Sequence, residues 1–342
     1  MDNEKGVVII TGSAGRIGSA VAARLGQQYR IAGFELLKAV YASKNEELIP
    51  VDISSDESVE QAFRHIRAFY GTKIVSVIHL AAYYSFSDER YEPYERITVE
   101  GTRRLLKALQ GFEVEQFIFS STMLVHKSCP VGKKITEKSP QIASWAYPRS
   151  KIATEEVIHK TRGSIPAVIL RIAGVYDDKC HSIPISNNIQ RIYEKQFVRF
   201  FFPGNLKAGA SFVHMDDVVE AIVRCVELRK ELPKETALLI GEEKRMSTDE
   251  LQRKISKLLT GKEMRTFRIP KILAWLGAWF QFHSFIKPWM IWLADDNYDL
   301  DMSKAKKLLK FEPQHSVEET LEIMIKDLKK DPKAWYKING LK

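Results

Sequence analysis

The sequence predicts an α/β protein, a doubly wound parallel sheet followed by a smaller helix-rich C-terminal region. Three observations predict it. Short apolar runs alternate with helix-spaced segments through the first half, the first run ends in a glycine-rich turn, and after residue 174 helical spacing takes over. Strands alternating with helices imply right-handed βαβ units and a sheet covered on both faces.

The elements follow in order. Val7–Thr11 is the first apolar run, and Arg16–Gln27 follows with helical spacing. Arg30–Glu35, Leu48–Val51, Ile74–Leu80, Gln116–Ser121 and Ala167–Arg171 are further strand-like runs. Helix-like stretches between them occupy Glu57–Phe69, Glu89–Leu109 and Ala146–His159. In the second half the helix signals are Ile185–Lys195, Asp216–Leu228, Ser247–Leu259, Lys271–Phe282, Ser303–Lys310 and Ser316–Lys329. Ser247 and Ser316 each precede a Glu by three residues, the pattern of a capping box.

Composition narrows the class. The chain has 342 residues, enough for one large domain or two intimate ones. Hydrophobic residues at 45% and charged residues at 28% exclude a disordered, collagen-like or polytopic membrane protein. Lys and Arg number 52 against 43 Asp and Glu, a net charge of +9. The basic residues are scattered, and the C-terminal lysines are interleaved with acids, so no nucleic-acid partner is expected. Three cysteines without a CxxC indicate neither a disulfide framework nor a zinc knuckle, and a reducing cytoplasm fits them. The acidic N-terminus runs straight into a strand and lacks the basic and apolar regions of a signal peptide.

The turn Thr11–Gly18 reads TGSAGRIG, after a strand and before a helix, which is the context of a dinucleotide-binding turn. Gly12 allows the tight turn, Gly15 lets backbone approach a pyrophosphate, and Gly18 lets helix and strand pack closely. The phosphates would sit at the helix N-terminus, where free N–H groups and the dipole favour anions. Glu35 ends the second strand, 23 residues after Gly12. A carboxylate there accepts hydrogen bonds from the adenosine ribose and repels a 2′-phosphate, which favours NAD. Lys38 and Arg16 lie near enough in sequence to keep NADP open. The fold class is therefore Rossmann-like.

Tyr147 and Lys151 stand at i and i+4, on one face of a helix. A nearby ammonium is expected to stabilise the phenolate and lower the Tyr147 pKa. Upstream, FIFSST ends in Ser120, Ser121 and Thr122.

With these motifs in order the sequence resembles the extended short-chain dehydrogenase/reductase family, the NAD-dependent epimerase/dehydratase group. TGSAGRIG, VIHLAA at 77–82, GTRRLLKAL at 101–109, FIFSST at 117–122, YPRSK at 147–151, LRIAGVY at 170–176 and FVHMDD at 212–217 carry it, and they span most of the chain. The resemblance implies an NAD(P)-dependent enzyme with Tyr147 as acid–base, Lys151 holding the nicotinamide ribose and Thr122 bonding the reacting oxygen. It implies cofactor contacts at Gly12, Ala14, Gly15, Arg16, Ile17, Gly18, Glu35, Asp52, Ile53, Leu80, Ala81, Ala82, Thr98, Ser120 and Ala173. Residues 1–174 would form the dinucleotide-binding domain, with a helix at 214–230 returning to it. Residues 175–342 would form the substrate-binding region. A homodimer through paired helices at 89–111 and 146–159 is implied by the resemblance alone.

Departures from the family pattern bear on the small-molecule substrate. Met123 and Leu124 stand where 4,6-dehydratases carry Asp and Glu, so no second acid–base pair serves elimination. Ala210 replaces the Arg with which nucleotide-sugar epimerases grip a diphosphate, and Lys207 is near. The aromatic C-terminal half, including Phe197–Phe202, resembles the branch of 3β-hydroxysteroid and sterol dehydrogenases; a lipophilic pocket and an ordinary core both remain open. Residues 272–293, the most apolar stretch, read as two short helices kinked near Pro288. A core or pocket wall is expected there ahead of a peripheral membrane contact. Cys180-His181 offers no third ligand and no metal is expected. His79 reads as a buried, hydrogen-bonded histidine, and Asp216 as the cap of the helix after His214. Three functions follow: an oxidoreductase for a secondary alcohol or ketone, a sugar epimerase that retains its cofactor, and a non-catalytic nicotinamide-binding sensor.

Overall fold

The computed structural model describes residues 5–36, 46–85, 90–280, 291 and 293–341. Lys38, Glu89, and residues 281–290 and 292 of the apolar stretch lie outside them.

Seven strands form one sheet: β1 (Val7–Thr11), β2 (Arg30–Glu35), β3 (Glu46–Pro50), β4 (Ser76–His79), β5 (Phe117–Thr122), β6 (Ala167–Ile172) and β7 (Glu235–Ile240). Their spatial order is 3-2-1-4-5-6-7, and every pairing is parallel. All residues of β1 and β6 are buried, which is why they read as nearly continuous apolar runs, interrupted in β6 by Arg171, rather than alternating ones. β7 comes from the second half of the chain, where helix signals dominate the sequence.

Helices cover both faces. On one lie α1 (Arg16–Leu25), α6 (Met215–Glu227) and α9 (Ser303–Leu309), whose Val21, Leu25, Val218, Ile222 and Leu309 share a core with β1 and β6. On the other lie α2 (Asp56–Tyr70), α3 (Glu100–Leu109) and α4 (Ala146–Thr161), through Phe63, Ile66, Leu105, Leu109 and Ile158. The stretch expected as one helix to Leu109 begins instead with a π-helical turn, Tyr94–Val99, which runs into α3. A third core joins α5 (Ile183–Tyr193), α7 (Thr248–Thr260), α10 (Val317–Lys330) and α11 (Pro332–Ile338) around Tyr176 and Phe212. The helix α8 (Lys271–Phe280) lies outside these three cores.

Capping follows sequence with one difference. Ser247 and Glu250 complete both halves of a box at α7. At α10 the Ser316 side chain accepts from Glu319 N–H, but the Glu319 carboxylate takes the Ser316 hydroxyl instead of the backbone. No helix among the described residues is long and apolar enough to cross a membrane.

Candidate active site

The strand order reverses between β1 and β4, and the candidate residues gather at the C-terminal ends of the strands beside that switch. This is where open α/β sheets leave a crevice for a ligand.

The glycine turn is built as a cradle. Gly12 has a φ of +70°, and a Cβ there would meet the Ala81 backbone nitrogen at 3.0 Å. A Cβ on Gly18 would lie 2.2 Å from the Gly12 carbonyl oxygen, so only glycine fits. Gly15 is the N-cap of α1 and supplies no side-chain hydrogen bond, which leaves the first helical amides free for an anion. Within the same turn the Ser13 hydroxyl is buried without a hydrogen-bond partner among the described residues. Glu35 closes the far side: its carboxylate accepts Ala14 N–H at 3.1 Å and Leu36 N–H at 2.9 Å. Two carboxylate oxygens accept about four hydrogen bonds, so room remains for ribose hydroxyls. These features fit a bound dinucleotide. Its holders would be Gly12, Ala14, Gly15, Gly18 and Glu35, with Ile17 packed beneath the turn.

The other candidates divide. Leu80, Ala81 and Ala82 are half-buried beyond β4, with Ala81 N–H donating to Thr11 Oγ1. Asp52 is exposed and accepts from Ser54, whereas the Ile53 side chain is buried against Gly101. Ala173 is buried, its N–H committed to the Ile240 carbonyl. Thr98 differs from expectation. It is fully buried, and its hydroxyl accepts Tyr83 N–H at 3.0 Å, which ties the loop after β4 to the π-helical turn. Arg16 also differs. Its guanidinium pairs with Asp177 at 2.6 Å and reaches the His181 carbonyl at 3.5 Å. Asp177 follows β6, on the opposite side of β1 from Glu35, so Arg16 is not poised for a 2′-phosphate.

Tyr147 and Lys151 stand on α4 with one turn between them, over the ends of β4 and β5. The Thr122 hydroxyl lies beside the Tyr147 phenol and works against burial to lower its pKa, and Lys151 Nζ donates to the Ser120 carbonyl at 2.8 Å. The Ser120 hydroxyl in turn donates to the His79 carbonyl at 3.3 Å. Lys151 Nζ lies 5.8 Å from the Tyr147 ring centre. The expected lowering of the phenol pKa by Lys151 is not found. Burial dominates and pushes Tyr147 up to about 12, and burial pushes the Lys151 ammonium down to about 7. Lys151 spends its hydrogen bond on the backbone, not on the phenol. Behind the pair, Glu155 accepts from Ser121 at 2.5 Å and from Arg171 at 2.7 Å, both ion-pair partners being buried. The Tyr84 and Trp145 rings flank Tyr147 at 5.1 Å and 5.5 Å.

His79 is fully buried between the Thr11 and Thr102 hydroxyls, at 2.6 Å and 2.9 Å, and burial lowers its pKa to about 3. It is a neutral structural histidine, as the sequence indicates. His214, not Asp216, caps α6: its Nδ1 accepts Asp216 N–H at 3.2 Å. A cap is the residue before the first helical one, here Met215. His214, Asp216 and His315 bring three ligand-type atoms within 4.8 Å of one another. The two rings stack 4.1 Å apart at 22°, so their in-plane lone pairs run side by side and do not converge on one ion. A cavity of about 530 Å³ lies between Arg16, Asp177, His181 and His214. Its lining excludes Tyr147 and Lys151, so it is not the reacting centre.

A model described as the NAD dependent epimerase/dehydratase family matches residues 8–241. The chain belongs to that family. Family membership makes it an NAD-dependent enzyme of the extended short-chain dehydrogenase/reductase type. Oxidoreductase and sugar-epimerase chemistry are both consistent with it. Short-chain dehydrogenase/reductase family 42E member 1 of Bos taurus is 24% identical, over 99% of this chain and 90% of that one. UDP-glucuronate 4-epimerase of Thermodesulfobacterium geofontis is 23% identical, over 93% and 94%. Among solved structures, UDP-glucuronic acid 4-epimerase from Bacillus cereus in complex with UDP-glucuronic acid and NAD has a TM-score of 0.72 at 21% identity, covering 95% of this chain and 99% of that one. At that identity the likeness concerns the fold.

Proposed function

We propose that this family member exchanges a hydride between NAD and a secondary alcohol or ketone, with Tyr147 as acid–base. The observation that carries this is the phenol beside the Thr122 hydroxyl, with Lys151 one helical turn away on the same face. NAD, when bound, accepts or returns the hydride at the carbinol carbon. Tyr147 takes the hydroxyl proton as the alcohol becomes a ketone, and returns it in the reverse direction. Thr122 positions the reacting oxygen. Lys151 holds the nicotinamide ribose and, with the positive charge of the oxidised ring, favours the phenolate that burial alone opposes. Gly12, Ala14, Gly15, Gly18 and Glu35 hold the dinucleotide, and Glu35 selects NAD. Leu80, Ala81, Ala82 and Ser120 border the ring, and Asp52 borders the adenine.

A lipophilic substrate fits best. Tyr84 and Trp145 offer aromatic rings beside the phenol, and Ala210 carries no cation to grip a diphosphate. A second reading, a sugar epimerase, is supported by Arg245. Its Nη1 would stand 2.7 Å from a Cβ on Gly209, next to Ala210, while its guanidinium also donates to the Lys207 and Met246 carbonyls and its Nε, 3.8 Å from Asp299, makes no hydrogen bond among the described residues. Water elimination is not supported, because Met123 and Leu124 carry no proton. We further assign residues 1–174 with helix 214–230 to the cofactor and the remainder to the substrate. A reducing cytoplasm suits the three free cysteines, and α3 with α4 is the proposed homodimer face.

The test follows reduced-nicotinamide absorbance with NAD and with NADP over sterols, aliphatic alcohols, sugars and sugar acids, with Tyr147→Phe as control. Net NADH with a lipophilic alcohol supports the first reading. Sugar inversion without net NADH supports the second. Turnover surviving in Tyr147→Phe overturns both.

A further inference from the structure

The outer end of the second half turns apolar side chains to solvent. Successive residues of α8 lie about 100° apart around its axis, so Ile272, Leu273, Trp275 and Leu276 cover an arc of about 160°. They are 66%, 54%, 44% and 42% exposed. Ala274, on the opposite side, is 8% exposed and packs with Ile291 and Ile269. A surface helix of a globular protein does the reverse, with its apolar stripe inward. Phe197 and Phe267, 76% and 58% exposed, extend the patch. The Phe197 ring meets Phe201 at 5.2 Å, Phe201 pairs with Phe267 in a two-stranded ribbon, and α8 begins three residues beyond that ribbon.

Charge around this patch is mainly basic, and the two acids nearby, Glu263 and Asp295, are ion-paired. Residues 195–202 and 262–271 hold six basic side chains and one acid, Glu263. Glu263 lies beside Arg253 and Lys257 at 3.8 Å and 3.9 Å, and Asp295 pairs with Lys271 at 2.8 Å and with Arg268 at 4.0 Å. Among the described residues no carboxylate pairs with Lys195, Arg199 or Arg265.

We propose that this face docks on an anionic lipid surface, α8 lying in the headgroup plane with its apolar arc inserted and the basic residues on the phosphates. Interfacial helices bind by that combination of apolar area and cationic attraction. A second copy of this chain is the weaker occupant, since two-fold apposition brings the unpaired cations against their own counterparts. The proposal stands apart from the reading of Tyr147.

Flotation of the full chain with vesicles tests it, using phosphatidylcholine alone and phosphatidylcholine mixed with phosphatidylserine. The full chain is expected to float with the mixed vesicles and to lose binding as salt rises. Ile272→Asp with Leu276→Asp should abolish flotation. Lys195→Glu with Arg265→Glu should lower the vesicle partition coefficient at least about fivefold, the worth of one basic residue at such a surface. Both variants should keep parental NAD binding and thermal unfolding in vesicle-free solution. If the first does not fold, the second carries the test. A full chain that stays at the bottom of the gradient with both vesicles overturns the proposal. So does equal binding to both vesicles that the charge variant leaves unchanged, or a dimer in solution that the apolar variant splits without any flotation.

Discussion

Burial and charge pull Tyr147 in opposite directions. Enclosure pushes its phenol up to about 12, and the nearest ammonium is itself pushed down to about 7 and bonded to backbone. On the proposed reading, a cationic ring arriving beside the phenol offsets the burial penalty, and proton transfer would then be coupled to cofactor binding. Tyr147→Phe keeps the ring against Tyr84 and Trp145 and removes the proton carrier. Turnover should fall about 10²- to 10⁴-fold while NAD affinity, measured by calorimetry, stays unchanged. Gly18→Ala should do the opposite. Its methyl would collide with the Gly12 carbonyl, so the turn must open, and NAD affinity should fall at least about tenfold. Parental NAD affinity in Gly18→Ala would rule out the cradle described above. The residue-level site was legible where chemistry sits in short spacing, as with Tyr147 and Lys151 or the glycine turn. It was illegible where partners are distant: nothing near Arg16 in sequence announces Asp177, 161 positions on, and nothing near Thr98 announces its bond to Tyr83.

Elements were legible where apolar residues run together, not in proportion to burial. The central strands of the first half show as apolar runs, and the edge strand β3 is legible from Leu48–Val51 although three of its five residues are exposed, whereas Glu235–Ile240, mostly buried, begins with Glu, Thr and Ala and does not stand out. It joins the sheet at its edge, paired only with β6, so its outer side tolerates polar residues. The π-helical turn before α3 has no apolar period of its own and was merged with its neighbour. Caps were more readable, because their chemistry is local. Glu250→Ala removes the carboxylate that accepts both the Ser247 N–H and the Ser247 hydroxyl, and leaves the Ser247 oxygen accepting at the N3 amide. It should cost about 1 kcal/mol in denaturant unfolding, and more than Glu319→Ala, whose carboxylate takes only the Ser316 hydroxyl. Equal costs would show that the backbone bond of the Glu250 half contributes nothing.

At the scale of the whole molecule, two buried acids tie the C-terminal helices to the sheet. Asp217 on α6 accepts Gln314 and His315 N–H at 2.9 Å and 3.1 Å, and Glu242, just past β7, accepts Val317 N–H at 3.0 Å at the start of α10. Glu242 is 5% exposed, and burial raises its pKa from 4.5 to about 7. The folded protein therefore keeps this proton after the unfolded chain has lost it. Below pH 4.5 both states are protonated and the group costs nothing; as pH rises to 7 stability is lost, and above 7 the loss is constant. A shift of that size corresponds to about 3 kcal/mol. Glu242→Gln keeps an acceptor for Val317 and removes the charge. The variant should match the parent in thermal stability near pH 4.5 and exceed it by several degrees at pH 8. A difference in midpoint that does not grow with pH would mean that Glu242 is already charged in the folded chain, and that its position, not its proton, holds α10 to the sheet.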